Sequence, residues 1–201
     1  MSLSAASGLR ATKSARESGR ESGSYSTVAI VLHWVLAFAL VGLFLVGDYM
    51  ADLPFSPLRL KLYNWHKWAG ISILTLSLLR LLWRLSHRPP ALPKAMVSQM
   101  PQWQQWGHHA TYYGLYLLFF VVPLLGWAYS SAAGFPVVVF GVIPLPDLVV
   151  ANKALAEALK PLHGLAAWSL CGLVLLHLAA ALKHQFINRD GLIQRMWFAK
   201  G

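Results

Sequence analysis

Two histidines in one uninterrupted apolar stretch, His163 and His177, are the residues of this chain best suited to chemistry. On an α-helix, the fourteen residues between them rise about 21 Å and complete almost four turns, so both imidazoles project from nearly the same face. Imidazole nitrogen is a common ligand for transition metals. Titratable side chains inside a membrane are costly and usually functional. The spacing therefore indicates two redox centres, one above the other.

The elements that position these histidines follow from the composition. Hydrophobic residues make up 57% of the 201 residues, and charged residues only 12%, about half the share in ordinary soluble domains. Four apolar segments are long enough to cross a bilayer, namely residues 28–47, 65–85, 109–130 and 161–182. We therefore predict an all-α membrane protein, a bundle of four transmembrane helices within residues 27–186.

The basic residues predict the orientation of this bundle. Twelve of the seventeen lysines and arginines lie in the amino-terminal segment, the second loop with its flank, and the carboxyl-terminal segment. The other five lie in the first and third loops: Arg59, Lys61, Lys67, Lys153 and Lys160. Because positive segments stay inside, we predict that both termini are cytoplasmic, with residues 1–26 a disordered tail and residues 187–201 a second tail. The net charge of +10 then indicates topology and contact with anionic lipid, and not nucleic-acid binding.

Four histidines fall into two pairs when they are placed by depth in this topology. His66 and His163 lie near the outer ends of the second and fourth spans, and we name them the outer pair. His33 and His177 lie near the cytoplasmic ends of the first and fourth spans, and we name them the inner pair. Each pair uses two different helices, as two axial ligands on opposite faces of a haem require. Cys171 is the only cysteine, which excludes covalent attachment through two cysteines.

Other polar residues lie near the predicted cytoplasmic boundary. Arg80 is level with the inner pair by helical spacing, and its charge needs an anionic partner such as a haem propionate. Arg84, one turn further on, can do the same or extend to the lipid headgroups. His184 lies two turns beyond the inner pair and, beside Lys183, can hydrogen-bond a quinone carbonyl; the alternative is an ordinary interfacial histidine.

The loops carry three more histidines and one short amphipathic segment. His87, His108 and His109 fall in or beside the second loop, and we predict that they are solvated. The last part of the long third loop, residues 152–160, is predicted to lie along the outer surface as one or two helical turns.

At these positions the chain resembles the prokaryotic cytochrome b561 family, over roughly residues 25–197. The matching segments include Ile30-Val31-Leu32-His33-Trp34, His66-Lys67-Trp68-Ala69-Gly70-Ile71, Arg80-Leu81-Leu82-Trp83-Arg84, Gly126-Trp127, Leu162-His163-Gly164, Lys183-His184-Gln185-Phe186 and Asp190-Gly191. The resemblance implies a multi-pass protein of the bacterial inner membrane with two non-covalent b-type haems. The histidine ligands carry over as His33, His66, His163 and His177.

The resemblance also implies a function. Members of this family are thought to exchange electrons with ubiquinone, and at least one is described as a superoxide oxidase that passes electrons from periplasmic superoxide to ubiquinone. We therefore expect transmembrane electron transfer from a periplasmic donor to the quinone pool. The basic residues of the outer loops would attract an anionic donor such as superoxide.

Two other functions remain open at this stage. The same haems could pass electrons from quinol to a periplasmic redox partner, with the third loop as the docking surface. A haem-free metal or proton transporter could use the same histidines, but no Asp or Glu lies in any of the four spans, whereas such sites usually include carboxylates.

Overall fold

The computed structural model describes residues 23–87, 89–91 and 101–197. In these ranges the chain forms four long helices: α1 (Thr27–Ala51), α2 (Pro57–Ser86), α3 (Gln102–Ala132) and α4 (Lys153–Lys183). Each helix is long and apolar enough to cross a membrane. The predicted four-helix membrane bundle is thereby confirmed. Most of the predicted tail at residues 1–26, and residues 198–201 of the second one, lie outside the described residues.

Polar residues set the points at which three of the helices begin. Ser26, Ser56 and Asn152 each accept a hydrogen bond from the amide three residues further on. Pro57 takes the first position of α2, where its missing N–H costs nothing. The side chains of Ser26, Ser56 and Asn152 each satisfy one of the amides that a helix leaves free at its start. The apolar runs that follow therefore enter the helices at defined residues.

Three of the helices, α2, α3 and α4, begin well before the apolar segments predicted for them. Since α3 begins at Gln102, the prediction that His108 lies at the end of the second loop is wrong, because His108 lies inside this helix. His109, the first residue of the predicted third span, is helical as well. Residues 153–160, predicted as separate surface turns, are the first two turns of α4. Hydrophobicity marks the part of a helix that lies in hydrocarbon, whereas its backbone hydrogen bonds continue through the polar interface.

The helices pack in chain order, α1 against α2, α2 against α3 and α3 against α4. The bundle closes where α4 faces α1, with the rings of Phe44 and Trp168 in edge-to-face contact at 4.8 Å. Because the helices alternate in direction, both ends of the described chain lie at one end of the bundle, which we name the terminal end. The loops after α1 and α3 lie at the opposite end, which we name the hairpin end.

A short β-hairpin lies in the loop between α3 and α4. Strands β1 (Val138–Val139) and β2 (Ile143–Pro144) pair antiparallel. The chain reverses through Phe140 and Gly141, which both have left-handed backbone angles, φ 53° and 72°. The Phe140 ring lies 5.9 Å from that of Trp68 near the start of α2. This contact holds the hairpin over the end of the bundle that carries the outer pair.

The residues after α4 fold back against the terminal end. A π-helical turn (His184–Asn188) and a 3-10 turn (Gln194–Met196) follow the helix. The Arg195 side chain donates hydrogen bonds to the carbonyls of Gly23, at 3.1 Å, and Ala91, at 2.8 Å. One guanidinium thus ties together the segment before α1, the segment after α2 and the segment after α4.

Candidate functional site

Two pairs of imidazoles face each other inside the bundle. His66 of α2 and His163 of α4 have ring centroids 6.2 Å apart, with planes at 87°. His33 of α1 and His177 of α4 have centroids 6.3 Å apart, with planes at 73°. A metal ion bonded to one nitrogen of each ring, at about 2.0–2.1 Å, would put two opposed centroids about 6 Å apart. The spacing of both pairs therefore fits a bis-histidine iron.

In the outer pair, His163 packs against a glycine of α3. A Cβ atom at Gly126 would lie only 2.9 Å from Cε1 of His163, closer than real side chains approach. One turn before Gly126, the Val122 carbonyl accepts a hydrogen bond from Nδ1 of His163 at 3.0 Å. Since a carbonyl only accepts, Nδ1 carries the hydrogen and Nε2 keeps its lone pair. Metal-binding histidines are oriented in this way.

The other ring of the outer pair meets α1 in the same manner. A Cβ atom at Gly47 would lie 2.8 Å from Cε1 of His66. The carbonyl of Leu43, one turn before Gly47, lies near this ring, although Nδ1 of His66 makes no hydrogen bond within the described residues. Sequence reasoning missed both glycines. Their position could have indicated this contact, because both glycines lie at the depth of the outer pair and on helices next to those that carry the two histidines.

The inner pair lies next to a half-buried arginine-tyrosine contact. Arg80 is close enough to interact electrostatically with both His33 and His177, and with the Tyr116 hydroxyl of α3. Arg80 thus lies at the depth that helical spacing predicts. Nδ1 of His33 is buried and has no hydrogen-bond partner among the described residues. A cationic side chain beside two imidazoles makes this part of the bundle attractive to an acidic group.

The remaining predicted residues lie at the terminal end. The Arg84 guanidinium stacks over the Tyr112 ring of α3 at 4.6 Å. Lys183 is exposed at the last position of α4, and His184 is half-buried at the start of the π-helical turn. His108, predicted as a solvated loop residue, is exposed on α3 but lies within electrostatic range of Arg84 and His184. Three helices and the π-helical turn therefore contribute basic or titratable side chains here.

Comparison with known proteins agrees with this geometry. A family model described as prokaryotic cytochrome b561 matches residues 24–199. Over 173 residues, 86% of this chain and 90% of the relative, the sequence is 32% identical to cytochrome b561 homolog 2 of Escherichia coli (strain K12). It is 30% identical to the probable superoxide oxidase CybB of Yersinia pestis over 179 residues, 86% of this chain and 94% of the relative. Cytochrome b561 homolog 1 of Escherichia coli (strain K12) is 27% identical over 177 residues, 86% of this chain and 96% of the relative.

Helices, paired imidazoles and sequence similarity lead to the same assignment. The family binds b-type haem, and the paired histidines of the bundle fit such a group by their spacing and by the free Nε2 of His163. Four apolar helices make the chain a multi-pass protein of the bacterial inner membrane. This chain therefore belongs to the prokaryotic cytochrome b561 family and is a membrane cytochrome b that takes part in electron transfer.

Proposed function

We propose that this protein carries electrons across the membrane between a periplasmic donor and ubiquinone, with both termini in the cytoplasm. One haem b would be held by His33 and His177, and another by His66 and His163. The observation that supports this is the presence of two imidazole pairs at metal-bridging distance, about 21 Å apart along α4. Bound haem supplies a reversible one-electron couple, and two histidine ligands suit it to electron transfer.

The chain's own residues have distinct parts in this proposal. Gly47 and Gly126 leave room for the two outer rings, and the Val122 carbonyl keeps Nε2 of His163 available. Arg80 and Arg84 offer positive charge to the propionates of the inner haem. Lys183 and His184, at the end of α4, are the proposed contacts of the quinone.

Haem content tests the core of the proposal. A reduced-minus-oxidised spectrum of the purified protein, combined with pyridine haemochrome quantification, should give two b haems per chain. A single haem would contradict the assignment of one pair. A colourless protein would contradict the electron-transfer function and would favour a haem-free metal or proton transporter.

A pocket at the hairpin end supports superoxide as the donor. The pocket, of about 430 Å³, lies between the end of α3 and the start of α4 and is lined in part by Tyr129, Lys153 and Lys160. Lys160 lies one turn before His163 on α4, so the pocket lies at the same end of the bundle as the outer pair. Glu157 also lines it and forms an exposed ion pair with Lys153 at 4.0 Å. The basic side chains would concentrate a small anion near the outer haem.

Salt should slow reduction by superoxide. Raising the ionic strength from about 0.01 M to about 0.15 M shortens the screening length from about 30 Å to about 8 Å. We expect the second-order rate of haem reduction by enzymatically generated superoxide to fall by about tenfold. Lys160→Gln should lower the low-salt rate and weaken this dependence. Reduction by decylubiquinol, which is uncharged, is the control and should not respond to salt; equal salt responses of the two donors would exclude steering.

Arg80→Leu should disturb the inner haem and spare the outer one. The substitution removes the positive charge beside His33 and His177, which would stabilise ionised propionates. We expect a lower haem occupancy or a shifted midpoint potential for one of the two haems in a spectroscopic redox titration. Arg59→Leu is the matched control, since Arg59 lies on the same helix at the hairpin end, where its guanidinium stacks over the Tyr63 ring, and its replacement should leave both haems unchanged. Unchanged occupancy and potentials in Arg80→Leu would exclude the propionate role.

The exposed hairpin favours a second candidate, electron flow from quinol to a periplasmic redox protein. Phe135, Phe140, Val142 and Ile143 are all more than half exposed, and such a cluster is typical of a docking surface. A stopped-flow experiment on the oxidised protein distinguishes the two directions of electron flow, by comparing the rates at which superoxide and decylubiquinol reduce the haem. Rapid haem reduction by decylubiquinol, with none by superoxide, would favour the quinol-oxidising subunit.

A further inference from the structure

A histidine–aspartate pair forms where the chain turns back after α4. His184 begins the π-helical turn, and Arg189 then adopts a left-handed conformation, φ 52°, which reverses the chain. The reversal brings the Asp190 carboxylate into a short hydrogen bond with Nδ1 of His184. The other carboxylate oxygen accepts the amide of Leu192 at 3.2 Å. Asp190 thus contacts both the ring and the backbone of the turn.

The contacts of the ring determine which nitrogen carries the hydrogen. A carboxylate can only accept a hydrogen bond, so Nδ1 of His184 must donate to Asp190. The side chain of Asn188 also lies 3.1 Å from Nδ1, but Nδ1 cannot donate to Asp190 and accept from Asn188 at once. The two amide positions of Asn188 are interchangeable, and with its oxygen toward the ring it accepts from the same N–H. In the neutral ring, Nε2 is therefore left with a lone pair.

The location of the pair suggests a role beyond holding the turn. The side chains of His184 and Asp190 are only 14% and 17% exposed. His108 of α3 interacts electrostatically with His184 and also with His177 of the inner pair. A shielded imidazole whose Nδ1 is held by a carboxylate is the usual arrangement of a proton-exchanging histidine. His184 lies at the terminal end of the bundle, the same end as the inner pair.

We propose that Asp190 is a positioning residue that holds His184 for proton exchange with the quinone, through Nε2. The inference rests on the proposed function, which places quinone at this end. Asp190 itself would not touch the quinone. It would keep the ring in the Nδ1–H form and offset the positive charge when Nε2 is also protonated.

The proton and electron balance is simple. Reduction of one quinone to quinol takes two protons and two electrons, and the electrons would arrive one at a time from two molecules of a one-electron periplasmic donor such as superoxide. For one of these protons, the Nε2–H bond of protonated His184 breaks and an O–H bond forms at a quinone carbonyl oxygen. Cytoplasmic water then reprotonates the ring and also supplies the second proton. If the protein oxidises quinol, each bond change runs in reverse.

The test compares Asp190→Asn with Asp147→Asn, the same change at an exposed aspartate of the loop between α3 and α4, in the full-length, haem-loaded protein. Asparagine at 190 keeps an oxygen for the Leu192 amide, but its NH2 group would donate to Nδ1 and move the ring hydrogen to Nε2. Nitrogen-15 NMR of the histidine-labelled, dithionite-reduced protein identifies this tautomer, and the His184→Gln variant assigns the signal. The rate of decylubiquinone reduction, with superoxide as the electron donor, measures the proton exchange.

In Asp190→Asn we expect the tautomer to change and kcat to fall about a hundredfold, with little change in KM and no loss of haem. Asp147→Asn should keep the parent tautomer and kcat. An Nε2–H ring in the unmodified protein, an unchanged kcat in Asp190→Asn, or haem loss in that variant would each overturn the proposal. If the unmodified protein does not reduce decylubiquinone, the proposed function fails and the proton-exchange role fails with it. The NMR comparison would then still decide whether Asp190 positions the ring.

Discussion

Replacing His177 with alanine is expected to lower the haem content from two b haems per chain to one. His177 and His33 come from different helices, with ring centroids 6.3 Å apart, and alanine at 177 leaves His33 without an opposing imidazole. The outer pair lies about 21 Å away along α4 and keeps its own contacts with α1 and α3. Pyridine haemochrome quantification should therefore show half the haem of the unmodified protein, and the remaining haem should give a single midpoint potential.

His109→Ala is the matched control for this experiment. His109 is an exposed histidine of α3 that stacks on Tyr113 and belongs to neither pair. Its replacement should leave both haems in place. Loss of both haems in His177→Ala would show that the two sites are not independent, and retention of both would exclude His177 as a ligand.

Replacing Gly126 with valine is expected to remove the outer haem. Even a single Cβ at this position would lie 2.9 Å from Cε1 of His163, and the two methyl groups of valine add further volume. The ring must move away from α3, which breaks the hydrogen bond from Nδ1 to the Val122 carbonyl and shifts Nε2. We expect loss of the outer haem, retention of the inner one and a stability cost of about 1–3 kcal/mol, as is usual for overpacking.

Two other glycines make this prediction specific. Gly47→Val should reproduce the loss of the outer haem by displacing His66. Gly172→Val on α4 is the control, since a Cβ there meets nothing within 4 Å. Haem content and redox titration of the three variants provide the measurement. Full haem content in Gly126→Val, or equal losses in Gly126→Val and Gly172→Val, would contradict the packing argument.

The number of helices was predictable from sequence, whereas their ends were not. Four apolar runs separated by polar and proline-containing loops specify four spans, because hydrocarbon admits only segments that satisfy their own backbone. The first turns of α3 and α4, which begin at Gln102 and Lys153, contain polar residues and lie outside the spans. A search for long apolar runs does not find where these helices begin, and His108 was therefore assigned to the second loop.

The sequence predicted which histidines pair with each other, but not the residues that pack against them. Helical rise and the alternation of span direction place His33 with His177 and His66 with His163, and the structure brings the same rings together. Their role as haem ligands remains a prediction. Packing partners such as Gly126 lie on other helices, and rotation of each helix about its axis decides which residues touch. That rotation is a property of the assembled bundle.

The amino-acid sequence by itself determined the membrane location, the four spans and the grouping of the four paired histidines by helical rise. These properties depend on the hydrophobicity and rise of single segments. Only the tertiary structure decided that glycines of α1 and α3 receive the outer rings, that Arg80 contacts Tyr116, and that Asp190 returns to His184. Each of these contacts joins residues that no single-helix period relates, so they form only when the helices and the final turn pack together.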